Sequence, residues 1–208
     1  MARSKNTLLK GASGKIGDIV TFERNGTQVI REYVIPKDPK SPAQLAQRMK
    51  CGVVNKALSP LKNYIKQGHK DNSKAYRAEI SRAMKYGIMG EYPNLSLDYS
   101  IIQIAEGKLQ LPENVNVDID SKTNTVNLSW NSELTIKDKP GKPDDKMNVI
   151  YLNEKLSDAK LLLNASKRSD GKASLKLPKY WDIDETHLWI YLSSYYLLHN
   201  SDSLYISI

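Results

Sequence analysis

The sequence predicts an α+β N-terminal module of β-hairpins and three helices, over residues 1–111, followed by an all-β sandwich over residues 112–208. Three observations lead there. An Asn25-Gly26 pair separates two runs of strand-forming residues, and that pair best tolerates the positive φ angles of a two-residue type I′ hairpin turn. Two Ser-Pro steps, Ser41-Pro42 and Ser59-Pro60, open segments whose apolar residues recur at helical spacing. From Val115 onward, short runs of alternating apolar residues are separated by polar or Gly/Pro-containing turns, the pattern of two packed antiparallel sheets.

Residues 1–16 show little periodicity and read as an extended arm. The Asn25-Gly26 turn sets Arg24 opposite Thr27, Phe22 opposite Val29 and Val20 opposite Arg31, so Val20, Phe22 and Val29 share a face that the first helix is expected to cover. Pro36, Pro39 and Pro42 stiffen the link between the two. In the first helix, from 42 to about 58, Ser41 caps, Pro42 takes the first position and Gln44 closes a capping box. Leu45, Ala46, Met49, Val53 and Ala57 form its apolar stripe. A short second helix carries Leu61, Tyr64 and Ile65 and ends near Gly68; a third, from about 73 to 86, turns Tyr76, Ile80, Ala83 and Met84 inward and breaks at Gly87 and Gly90. Segments 97–105 and 108–111 flank Glu106-Gly107 and read as a second hairpin, with Pro112 as the boundary. Beyond it, strands are expected over 115–119, 126–130, 149–151, 161–163, 175–177, 188–192 and 204–206.

With 40% hydrophobic and 26% charged residues, the composition is that of a folded protein rather than a disordered one. The basic start lacks the apolar run of a secretory signal, and no stretch approaches the roughly 20 apolar residues of a membrane span. Synthesis in the cytoplasm without export is therefore expected. A single cysteine, Cys51, excludes an intramolecular disulfide and reads as a small structural thiol within the first helix. The net charge of +8 is unevenly spread: residues 1–95 carry 18 Lys and Arg against 7 Asp and Glu, and residues 96–208 carry 13 against 16. Such an excess suits a polyanion or an acidic surface as partner, and equally a solubilising surface.

No motif specifies a reaction. His69, His187 and His199 lie far apart, without the spacing of a helical metal site. The GASGKIG segment lacks phosphate-loop spacing and precedes a strand, and Asp144-Asp145 and the Asp182, Asp184, Glu185 group read as solvated loops. The chain is therefore expected not to be an enzyme, with no catalytic, cofactor-binding or metal-binding residue. The candidate contacts to a polyanion or a protein partner are Lys10, Lys15, Arg24, Arg31, Arg48, Lys50 and Lys56. Interleaved aromatic residues are missing from this reading, because Phe22, Tyr33 and their neighbours are assigned largely to the core.

Trp130 late in the second strand of the sandwich, the strand LWIYLSSYY, and SLYISI after the turn LLHNSD make the C-terminal hundred residues resemble a fibronectin type III or related immunoglobulin-like domain. The Cys pair of a true immunoglobulin domain is absent. Over nearly its full length, through GKIGDIVTFERNGTQVIR, PKSPAQLAQRMK, GEYPN and SDSLYIS, the chain resembles an uncharacterised family from Bacteroidota, defined as a domain of unknown function. The resemblance implies an architecture and a bacterial or prophage origin, and it transfers no site residues. The expected function is a non-enzymatic structural or assembly protein of phage or prophage descent, docking on a protein partner or on its own copy; a virion-associated location would follow. The rival is a nucleic-acid-binding accessory protein using the basic N-terminal half.

Overall fold

The computed structural model describes residues 2–4, 11–35, 37–70, 72–135, 139–196 and 199–208, which form three α-helices and four antiparallel sheets, a mixed but mostly β chain. The chain divides into two compact units, Met1–Ser41 and Pro42–Ile208. In the first, β1 (Ala2–Ser4), β2 (Gly14–Ile16), β3 (Ile19–Arg24) and β4 (Thr27–Glu32) make one sheet in the order β1-β4-β3-β2. Asn25 and Gly26 have φ of 51° and 73°, both positive as a type I′ turn requires, and the β3–β4 register is the one the turn predicts. Thr21 and Gln28 are buried beneath residues 11–12: the Gln28 amide donates to the Thr21 hydroxyl and, at 2.7 Å, to the Ala12 carbonyl, and accepts from the Gly11 N–H at 3.2 Å.

The second unit begins with α1 (Pro42–Leu58), α2 (Lys62–Gly68) and α3 (Ala75–Arg82), the last running into a π-helical turn, Ala83–Gly87. Proline at the first position starts α1 as expected. Its buried residues are Val54 and Leu58, in its last two turns, with Val53 and Ala57 half-buried beside them. Cys51 corrects the sequence reading: it lies two turns before Leu58 on the same side of α1, beyond the packed region, and is exposed.

The hairpin expected around Glu106-Gly107 does not form. Instead β5 (Ile88–Glu91) pairs with β6 (Asn94–Leu97) across a Tyr92-Pro93 turn whose peptide bond is cis. Asp98 then caps a 3-10 turn, its Oδ1 accepting from the Ser100 N–H at 2.9 Å, and the extended segment that follows buries Ile102, Ile104 and Ala105. Those apolar residues do not alternate, so they fill a core rather than line one face of a hairpin. Gly107 serves close approach: a Cβ there would stand 1.8 Å from the Asn200 carbonyl oxygen.

The seven strands expected after Pro112 all form: β7 (Glu113–Asp120), β8 (Thr125–Asn131), β9 (Lys146–Asn153), β10 (Asp158–Lys167), β11 (Lys172–Lys176), β12 (Thr186–Ser193) and β13 (Leu204–Ile206). They make two sheets, β11-β8-β7 and β10-β9-β12-β13. Between the sheets lies one core, in which Val126, Leu128, Trp130 and Leu175 meet Met147, Val149, Leu188 and Ile190. The Trp130 indole N–H donates to the Arg168 carbonyl at 3.0 Å. On the other face of β9 and β12, Ile150, Leu152, Trp189 and Tyr191 join a second core with Val54, Leu58, Leu61, Ile65 and Ile104 from the helical segment.

Two fragments distinguish the division at Ser41–Pro42 from one at Pro112. Residues 42–208 are expected to unfold in a single transition. Residues 112–208 alone uncover Ile150, Leu152, Trp189 and Tyr191, whose burial stabilises by about 1.5–3 kcal/mol for each large side chain, and are expected to melt lower and aggregate. Equal melting temperatures by circular dichroism would place the boundary at Pro112.

A second expectation concerns alkaline pH. Burial pushes the Tyr191 hydroxyl up to about 12, and burial, followed by the charge of Glu154, raises that of Tyr99. An unfolded tyrosine loses its proton near 10. The folded hydroxyls hold theirs longer, so their contribution to stability is intact below about pH 10 and is lost as pH rises through the folded values. Tyr191→Phe should flatten the fall in melting temperature between about pH 10 and 12; an unchanged fall would show that Tyr191 titrates alike in both states.

Candidate interaction surface

The pleat of the N-terminal sheet decides where its charges go. Cross-strand pairing sets Lys15 opposite Val20, Val20 opposite Arg31, Phe22 opposite Val29 and Arg24 opposite Thr27. Directly opposed residues point the same way and alternate residues along a strand share a face. Lys15, Arg24 and Arg31 therefore stand on one face with Val20, Phe22 and Val29. The second face receives Ile16, Ile19, Glu23 and Glu32. All three cations and both carboxylates are exposed. One sheet thus carries a basic face and an acidic one, the latter covered at Thr21 and Gln28 by residues 11–12.

Aromatic rings accompany the basic face, contrary to the sequence reading. The Lys15 ammonium sits 3.8 Å from the centroid of the Tyr33 ring, and the Arg31 guanidinium lies 5.8 Å from that of Phe22. Tyr33 is exposed rather than taken up by a core. The signal was present in the hairpin register, which already set Arg31 two positions along the same face from the Phe22–Val29 pair.

The remaining candidates are not gathered there. Lys10 lies outside the described residues. Arg48, Lys50 and Lys56 belong to α1 of the second unit. At about 100° per residue, Arg48 and Lys56 are about 80° apart around the helix and Lys50 is at least about 120° from either, so the three form no single stripe.

His69, His187 and Asp145 take structural places, and the burial of Asp145 corrects its reading as part of a solvated loop. His69 reaches the Gln103 carbonyl at 3.3 Å and Glu106 at 3.4 Å. His187 stacks on Tyr99 with ring centroids 3.9 Å apart and its Nδ1 lies 2.9 Å from the Tyr205 hydroxyl. Asp145 is buried against Arg168, with its Oδ2 3.5 Å from Nε and accepting from the Lys142 N–H at 2.8 Å. Among the described residues no group of three or more His, Cys, Asp or Glu is placed to hold a metal ion, and no helix is long and apolar enough to cross a membrane.

The face assignment depends on the turn. Gly26→Val forces a β-branched residue to φ near 73° and is expected to destabilise the hairpin by about 1–2 kcal/mol, read as faster amide exchange in β3 and β4. Unchanged exchange would mean that the turn does not set the register.

No curated protein matches the chain. Residues 11–207 match a family described as a family of unknown function, DUF6266, and the chain belongs to that family.

Proposed function

We propose that the protein is a non-enzymatic assembly subunit whose N-terminal sheets stack on one another in successive copies, the basic face of one on the acidic face of the next. The carrying observation is the split of charge across that sheet: Lys15, Arg24 and Arg31 on one side, Glu23 and Glu32 on the other. Burial supports it. Among the described residues 11–41 only Thr21, Gln28 and Val29 are buried, while Ile16, Ile19, Val34 and Ile35 are 48–76% exposed. A unit of this size closes its core by association more readily than alone. Because the two faces differ, the contact is head-to-tail, and it builds chains or rings rather than a closed pair.

The same proposal takes the seven-stranded body to be fibronectin-III- or immunoglobulin-like, displaying a surface. In its support, the first, second and fifth strands make one sheet and the third, fourth, sixth and seventh the other. The constant-type immunoglobulin arrangement differs only in the sheet that takes the fourth strand. Bacterial, phage or prophage descent, and the virion location that goes with it, rest on the family resemblance alone.

Nucleic-acid binding is the second reading, favoured by the three cations sharing one exposed face with Phe22 and Tyr33. It predicts duplex affinity that falls with salt at a log–log slope of about −0.9 per phosphate neutralised, flattened by roughly two to three units when Lys15, Arg24 and Arg31 are replaced together.

Light scattering after size-exclusion chromatography decides between them. Assembly predicts a mass that grows with concentration and falls with salt. Lys15→Glu with Arg31→Glu should be monomeric, as should Glu23→Lys with Glu32→Lys, and mixing the two variants should restore assembly, because the unchanged basic face of the second meets the unchanged acidic face of the first. A monomer at all concentrations, together with salt-dependent duplex binding, would establish the second reading instead.

A further inference from the structure

A cavity of about 330 Å3 opens on the helical side of the four-stranded sheet, at the end of α2. Its floor follows from strand register. Asn148 of β9 pairs with Tyr191 of β12, and Lys146 with Ser193, so the four side chains form a two-by-two block on one face. Asn148, Tyr191, Ser193 and Asn200 are buried polar residues that line the cavity, with Lys70 and Lys146 at its rim.

The floor is fixed in place. The Asn148 amide donates to the Ser193 hydroxyl at 2.9 Å and its carbonyl accepts from the Asn164 N–H at 3.1 Å. The Asn200 amide donates to the Gly68 carbonyl at 2.8 Å, tying the segment after β12 to the end of α2. Among the described residues the Tyr191 hydroxyl has no hydrogen-bond partner, although the residue is only 3% exposed. Its oxygen is not one of the fully buried polar atoms left unpaired, so it meets the open space of the cavity.

The rim supplies charge, and aromatic rings lie beside it. Among the described residues neither Lys70 nor Lys146 makes an ion pair, and none lining the cavity is acidic. The Lys146 ammonium lies 5.2 Å from the centroid of the Tyr195 ring, and Tyr195 meets Tyr196 edge-to-face at 5.1 Å. Both rings are more than half exposed, at 55% and 75%. The volume lies at the small end of the roughly 300–1,000 Å3 typical of ligand pockets.

We propose that this cavity binds an acidic saccharide, a sugar ring carrying a carboxylate. Two lysines that make no ion pair among the described residues set the ligand's charge, several fixed amides and hydroxyls call for a ligand rich in hydroxyls, and the Tyr195 ring beside Lys146 offers an apolar face next to the cavity for a pyranose. The carboxylate sits between Lys70 and Lys146, and the ring hydroxyls meet Tyr191, Ser193 and Asn200.

Saturation-transfer NMR and calorimetric titration of the full chain test this with D-glucuronate, a glucuronate-containing disaccharide, D-glucose and sulfate. Saturable binding of glucuronate is expected, tighter for the disaccharide. Lys70→Ala and Lys146→Ala should each weaken it roughly tenfold, the scale of a lost charge-assisted hydrogen bond. Tyr195→Ala should weaken it less. None of the three should shift the melting temperature, because Lys70 and Tyr195 are exposed and Lys146 is half-exposed. Glucose binding as tight as glucuronate would overturn the role of the lysines, sulfate binding as tight would reduce the cavity to an anion site, and absence of saturable binding would remove it altogether. None of these outcomes depends on whether the N-terminal sheet assembles.

Discussion

The β9–β12 pair is buried on both faces, and the second unit is organised around that fact. One face of the pair supplies Met147, Val149, Leu188 and Ile190 to the core between the sheets; the other supplies Ile150, Leu152, Trp189 and Tyr191 to the core beneath the helices. A strand pair with apolar residues on both sides has no face to give to water, so both covering layers are obligatory. The helices then have little freedom in where they lie. Their Val54, Leu58, Leu61 and Ile65 meet the sheet, and the Trp189 indole reaches through to donate to the Ile102 carbonyl at 3.1 Å.

Polar groups pin the edges of this stack where apolar packing alone would let segments slide. Arg168, fully buried, is paired with Asp145 and donates to the Gln110 carbonyl, while its own carbonyl receives the Trp130 indole N–H. Three distant stretches of chain meet at that one residue. Burial lowers the guanidinium's pKa while the charge and hydrogen bond of Asp145 oppose the fall. A buried pair of this kind fixes geometry more surely than it adds stability.

Period-two and period-3.6 patterns made the strands, the hairpin and the helix starts legible in the sequence, because each of those signals is local. The missed features are those set by what lies across from a residue. MNVIYL and HLWIYL read as strands with one inward face, yet a continuous apolar run is also the mark of two-sided burial. Reading them that way would have tied the helices to the sheet and moved the division away from Pro112. The Glu106-Gly107 error has the same root: Gly107 answers to the Asn200 carbonyl, more than ninety residues away, and not to a local turn. Of the seven basic candidates, Lys15, Arg24 and Arg31 share one face because hairpin register is local; the three on α1 do not, because charge count carries no angular information. The cavity at Tyr191 was invisible, since its walls come from four separate parts of the chain.

The turn at Asn25-Gly26 governs electrostatics as much as shape. Strand side chains alternate strictly, so a one-residue slip of β4 against β3 would put Arg31 on the side of Glu23 and Glu32 on the side of Arg24. The sheet would then carry mixed charge on both faces and lose the complementarity that stacking of copies depends on. Apolar burial cannot prevent such a slip here, because so few side chains in this unit are buried. What holds the register is the pair of positive φ angles at the turn, together with Gln28, whose amide reaches both Thr21 across the ladder and Ala12 above it. In a sheet this thinly packed, backbone conformation and one buried amide take the part that a hydrophobic core plays in the other unit.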